Sequence, residues 1–151
     1  MGTRSLTRVI PTGKGYNEDV TTKNAHKHVK KSVVNMYRQY DGYLSGHGSE
    51  LAEFLTPFTI VNGIRYNEER RIANGSGCLA AQTVAHFKDN AGGIYLERLS
   101  SGYGFHGEEF IYTILVSENT NEISLSLFDV WRKEVIFEGT PANLLIVSQA
   151  G

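Results

Sequence analysis

Arg38, Tyr40, Asp41, Tyr43 and His47 lie within ten residues of one another, interleaved with Gly42, Gly46 and Gly48. A guanidinium, a carboxylate, an imidazole and two phenols in one short stretch suit the binding of a planar anion. The arginine can meet negative oxygens while an aromatic ring stacks on a base. Alternation from Val33 to Tyr40 predicts a strand, with Val34, Met36, Arg38 and Tyr40 on one face and Val33, Asn35, Tyr37 and Gln39 on the other. Arg38 therefore continues an apolar face, where an unpaired guanidinium is costly to bury. It needs a carboxylate, a stacked ring or an anionic ligand. Asp41 is the nearest carboxylate, and an internal Arg38–Asp41 pair is the purely structural reading. In that case Arg38→Ala would cost about 3–5 kcal/mol by stranding a buried charge.

The glycines that follow permit positive φ and close backbone approach. Ser49 can cap a short helix in which Leu51, Phe54 and Leu55 share a face. Free N–H groups at such a helix start favour an anion, but Glu50 and Glu53 already complement the dipole and repel one. The spacing matches neither a Walker loop nor a GxGxxG fingerprint. A second start, Asn74-Gly75-Ser76-Gly77, opens a helix from Cys78 to about Lys88 with Ser76 as N-cap, and carries no acidic residue in its opening turn. Its alternative is a tight turn that packs a helix closely. One expectation is a nucleotide-like ligand held between these two helix starts. Arg38, Tyr40, Asp41, His47 and the Gly46–Gly48 backbone would then line one concave surface, with Tyr103 to His106 on its rim.

Other chemistries have weaker support. Cys78 at a helix start could be an activated thiol, but beside Leu79 and Ala80 it reads as a small packing residue. The five histidines include one close pair, His26 and His28, and neither HExxH nor CxxC spacing occurs. No metal or cofactor is predicted. His47 and His106, with Asp41 or Glu108, form the enzymatic alternative, an acid–base pair for a hydrolase or transferase. With no catalytic constellation in the sequence, a binding role is the preferred expectation. Its ligand is either the nucleotide-like anion or a host protein docked on the aromatic loops, and those loops could equally join two copies of the chain.

The strings Arg38-Gln-Tyr-Asp-Gly-Tyr43, Ser45-Gly-His-Gly48 and Glu50-Leu-Ala-Glu-Phe-Leu55 resemble a family of small, uncharacterised proteins encoded by tailed bacteriophages and large DNA viruses. So do Met1-Gly-Thr-Arg-Ser-Leu-Thr7, Asn74-Gly-Ser-Gly-Cys-Leu-Ala-Ala-Gln82, Ala91-Gly-Gly-Ile-Tyr-Leu96 and Ile136-Phe-Glu-Gly139. The resemblance implies a viral accessory protein that acts by sequestering or blocking. It implies no catalytic residue.

These residues are carried by 151 residues of 40% hydrophobic composition, which predicts one domain spanning 1–151. Fifteen basic against sixteen acidic residues give a net charge of −1, which argues against broad binding to duplex nucleic acid. A single cysteine suits a reducing compartment. The N-terminus has no apolar leader and no stretch reaches membrane-spanning length, so the expected location is the cytoplasm with no membrane partner. Strands are predicted at Ser5–Ile10, from Val33, at Ile94–Leu99, Phe110–Val116, Ile123–Leu127 and Val135–Phe137. A third helix follows Thr140-Pro141; it is apolar enough either to complete the core or to leave a sticky surface. The polar stretch from Thr12 to Lys31 reads as a solvated loop, or as a basic arm for an acidic partner. The fold class is α+β: a mainly antiparallel sheet with two or three helices packed on one face. Ser124 and Ser126 should be more exposed than Leu125 and Leu127.

Overall fold

The computed structural model describes residues 2–100, 103 and 106–150. In chain order it contains β1 (Ser5–Thr12), β2 (Val34–Arg38), α1 (Ser49–Leu55), β3 (Thr59–Val61), β4 (Ile72–Asn74), α2 (Gly75–Phe87), β5 (Ile94–Leu96), β6 (Phe110–Ser117), β7 (Ile123–Asp129), β8 (Glu134–Gly139) and α3 (Pro141–Ala150). Six strands form one sheet in the order β5-β2-β1-β6-β7-β8, while β3 and β4 form a small parallel pair. Every neighbour in the large sheet is antiparallel except β1 and β6, which run parallel from Ser5↔Phe110 to Thr12↔Ser117. The strands around Leu6, Val34, Phe110 and Ile123 therefore share one sheet, and the α+β, mainly antiparallel expectation holds.

Alternation decides what each face carries. Val9, Tyr112, Ile114, Val116, Leu125 and Leu127 pack beneath Leu51, Phe54 and Leu55 of α1, Leu79 and Ala80 of α2, and Leu144 of α3. All three helices thus cover the same face. At its start α3 has Pro141 in the first helical position, and the Thr140 hydroxyl accepts the Asn143 N–H at 3.2 Å. Leu144 completes the core while Ile146 and Val147 stay exposed, so this helix does both of the things its composition allows.

The opposite face is not left to solvent. Leu6, Tyr37, Ile111 and Phe128 cluster there, and Ile10 and Leu115 pack against Val20 and Ala25. This corrects the reading of Thr12–Lys31 as a solvated loop. Its lysines Lys27 and Lys30 do point outward, but Val20, Ala25, His26 and Val29 are buried. The cause lies in the central strands: β1 and β6 carry apolar residues on both faces, so the second face also needs a cover. Ser126 is a casualty of the same fact. Ser124 is partly exposed as expected, whereas Ser126 is as buried as Leu125 and Leu127. β5 is also shorter than its pattern suggested, ending at Leu96. Among the described residues, no helix is long and apolar enough to cross a membrane.

A docked cover and a free loop respond differently to charge. Ala25→Asp would bury an unpaired carboxylate and should destabilise the fold by about 3 kcal/mol, whereas Lys27→Asp should stay within about 0.5 kcal/mol. Urea unfolding of the two variants checks this.

Candidate functional site

The chain leaves β2 at Arg38 on the helix-covered face and turns back toward α1. Asp41 takes a left-handed conformation at φ +55°, and its carbonyl accepts the His47 N–H at 2.6 Å. A π-helical turn over Leu44–Gly48 then feeds directly into α1, without the Ser49 side-chain cap that was expected. None of Gly42, Gly46 and Gly48 has positive φ. Close approach is what requires them. A Cβ on Gly42 would lie 2.8 Å from that of Ser5, and one on Gly46 would lie 2.5 Å from the Asp41 carbonyl. The N–H groups of Gly46 and Gly48 both donate to the Tyr43 carbonyl, so this turn is not an anion cradle.

The turn drives His47 into the core, where it is fully buried. Tyr112 packs edge-on at 4.9 Å between ring centroids, and Phe87 lies at 4.7 Å. Arg38 Nη1 donates to His47 Nδ1 at 2.9 Å. A guanidinium has no acceptor, so Nδ1 must be unprotonated. The neutral ring then carries its proton on Nε2 and donates to Thr7 Oγ1 at 2.7 Å. Burial, and after it the Arg38 charge, lower the His47 pKa to about 3. Burial also holds the Tyr112 phenol well above its ordinary range; its O–H donates to the Gly42 carbonyl at 2.7 Å.

Arg38 is 5% exposed, and its carboxylate partner is Glu50, not Asp41: Nη1 meets Oε2 at 2.5 Å. The expected cost of removing Arg38 changes accordingly, because the Glu50 side chain is half-exposed and would not be stranded. The guanidinium also lies under the Tyr40 ring at 4.9 Å and near Phe87 at 5.6 Å. Its Nε–H is buried with no acceptor.

Above Arg38 opens a pocket of about 500 Å³. Tyr40, Glu50, Glu53, Phe54, Arg71, His86 and Phe87 line it with Arg38. The Arg71 guanidinium lies over Phe54 at 4.9 Å and over Phe58 at 4.7 Å. His86 stacks on Phe54 at 4.3 Å, and burial, then Arg71, lower its pKa. Among the described residues, neither Arg71 nor Glu53 has an ion-pair partner. The pocket thus offers one uncommitted cation, one uncommitted anion and several π faces.

Of the residues expected at the site, only Arg38 and Tyr40 line this pocket, with His47 supporting them from behind. Tyr43 faces a different groove, beside Leu44, Ile136 and Val147, and donates weakly to Asp41 at 3.4 Å. Asn74, Gly75, Ser76 and Gly77 lie elsewhere. Phe87, which touches His47, ends α2, and Gly75 begins it, roughly 18 Å away along the axis. No mononucleotide bridges the two glycine-led helix starts. Nor is the second start vacant: the Ser76 hydroxyl donates to Glu118 at 3.0 Å, placing a carboxylate where an anion would sit. Asn74 accepts the Gly63 N–H.

Tyr103 and His106 do not rim the pocket. They lie on the opposite face of the sheet, Tyr103 against Phe128 and His106 against Tyr37. Gly104 and Phe105 of the same Tyr103–His106 stretch fall outside the described residues. His47 and His106 are thus separated by the sheet, and the acid–base pair of the enzymatic alternative does not form. His106 instead bonds Glu97 at 2.9 Å.

Sequence reasoning missed Glu50, Glu53, Phe54, Arg71, His86 and Phe87 as pocket residues. It also missed a buried polar cluster on the far face, where Arg8 donates to Asn35 at 3.0 Å and to the His26 carbonyl at 3.1 Å, and His26 stacks on Phe128 at 3.8 Å. Arg8 was visible as the charged residue in an apolar strand; Arg71 gave no such signal. Cys78 is partly buried and accepts from Gln82 at 3.4 Å, as a packing residue would. Among the described residues, no group of His, Cys, Asp and Glu is arranged to hold a metal ion. Compared with protein-family models, curated proteins and solved structures, the chain matches none.

Two outcomes follow from the His47 clamp. Because the folded pKa lies below the unfolded value, the unfolded chain binds more protons between about pH 3 and 6.5. Stability should fall as pH drops through that window, by up to about 1.4 kcal/mol per pH unit from this group, and His47→Gln should flatten the dependence. Arg38→Ala should cost about 1–3 kcal/mol by leaving Nδ1 of His47 without its donor. Urea unfolding at pH 4.5, 5.5 and 6.5 tests both.

Proposed function

We propose that this chain is a small binding protein, of the viral accessory kind its resemblance implies, that sequesters a nucleotide-like anion in the pocket between Arg38 and Arg71. The observation that carries the reading is the Arg71 guanidinium. It is laid over two aromatic rings, without a carboxylate, at the edge of a pocket whose other arginine is already neutralised. Arginine in that setting meets a phosphate with several donors at once. Tyr40, Phe87 and His86 supply faces on which a base can stack. The pocket volume suits a mononucleotide. The compartment in this reading is the cytoplasm of the host cell.

A second reading, a protein partner, is favoured by a different surface. Trp131 is 76% exposed, Ile146 is exposed as well, and Ile136 and Val147 stand exposed in the groove that Tyr43 and Leu44 also line. Such clustering marks contact surfaces. The occupant would be a host protein or a second copy of the chain.

Native mass spectrometry of protein purified from cells separates the two: a retained nucleotide-sized mass favours the pocket, a co-purified chain the groove. In calorimetric titration with nucleoside monophosphates, Arg71→Ala should weaken binding at least about tenfold through loss of a charge-assisted contact, and Ser76→Ala should leave it unchanged. Binding that ignores Arg71→Ala would overturn the pocket reading.

A further inference from the structure

A pocket that stacks a base gains selectivity only by reading its edge, and this pocket has one group suited to that task. Glu50 and Glu53 stand three residues apart on α1, both lining the cavity. Glu50 is held by Arg38. Glu53 has no hydrogen-bond or ion-pair partner among the described residues, and an ionised carboxylate only accepts hydrogen bonds. It therefore selects a ligand that presents donors. Arg38 is nineteen-twentieths buried and its Nε–H is closed off from the cavity, so Glu53 carries the selection. The site therefore asks for a pair of donors facing Glu53.

We infer, on the strength of the nucleotide reading above, that the ligand carries a guanine base whose donor edge faces Glu53. Guanine places its ring N–H and its exocyclic amino group side by side, and a carboxylate accepts both at once. Adenine places an acceptor nitrogen beside its amino group and offers a carboxylate only one bond. Hypoxanthine keeps the ring N–H and lacks the amino group. Discrimination by such a bidentate contact runs from several-fold to about a hundredfold. The phosphate stays with Arg71, and the ring with Tyr40 and Phe87.

The test is calorimetric titration of the wild type and Glu53→Gln with GMP, IMP and AMP. Glu53 is exposed on a short helix, so the substitution leaves the fold intact. The inference predicts GMP binding at least about tenfold more tightly than IMP or AMP, with the preference collapsing in Glu53→Gln, whose amide loses one guanine contact and can pair with both the amino group and the ring nitrogen of adenine. Equal affinities for the three, or a GMP preference that survives Glu53→Gln, would overturn the base assignment and leave nucleotide binding standing. Failure of all three to bind the wild type would overturn the nucleotide reading itself, and this inference with it.

Discussion

A neutral imidazole locked in the core is the constraint on which the rest of this site depends. His47 is fully buried with both ring nitrogens committed, one to Arg38 and one to Thr7. Those two bonds tie β1, β2 and the start of α1 together. They also fix where the Arg38 guanidinium can sit, and hence which carboxylate it reaches. Burying an arginine beside a histidine is tolerable only because the histidine is uncharged and Glu50 offsets the charge from the solvent side. The glycines of the turn belong to the same arrangement. They let the backbone press against Ser5, Tyr43 and Tyr112 closely enough to bring His47 inward.

Much of the fold was legible because strand alternation is a local signal. β1, β2, β6 and β7 are recognisable from period two, and α3 from its Thr-Pro start. The cover over the second face was not legible in the same way. Thr12–Lys31 is polar in composition, and only four buried residues anchor it. Nothing in the segment itself says that a second apolar face awaits it. That information sits in β6, whose near-continuous apolar run marks a strand buried on both sides. Ser126 was misplaced for the same reason.

The candidate site was half legible. A charged residue on an apolar strand face pointed to Arg38, and Tyr40 came with it. The partner of Arg38 was misassigned because proximity in sequence favoured Asp41, whereas the turn directs that residue's carbonyl, not its carboxylate, toward the site. Loop residues chosen for composition, Tyr103 and His106, fell on the wrong side of the sheet. His86 reaches the site where the end of α2 meets α1, as the Phe54–His86 stack shows, and Arg71, just before β4, reaches it by lying over Phe54 and Phe58. No local pattern announces a contact of that kind.

The account turns on the state of one ring, and ring nitrogen chemical shifts report it directly. In ¹⁵N-labelled protein at pH 5, His47 should give the pattern of a neutral imidazole protonated on Nε2, with Nδ1 as the unprotonated acceptor, and should keep it until the pH approaches 3. An imidazolium at pH 5, or a proton on Nδ1, would contradict the clamp, because neither state can accept a hydrogen bond from Arg38.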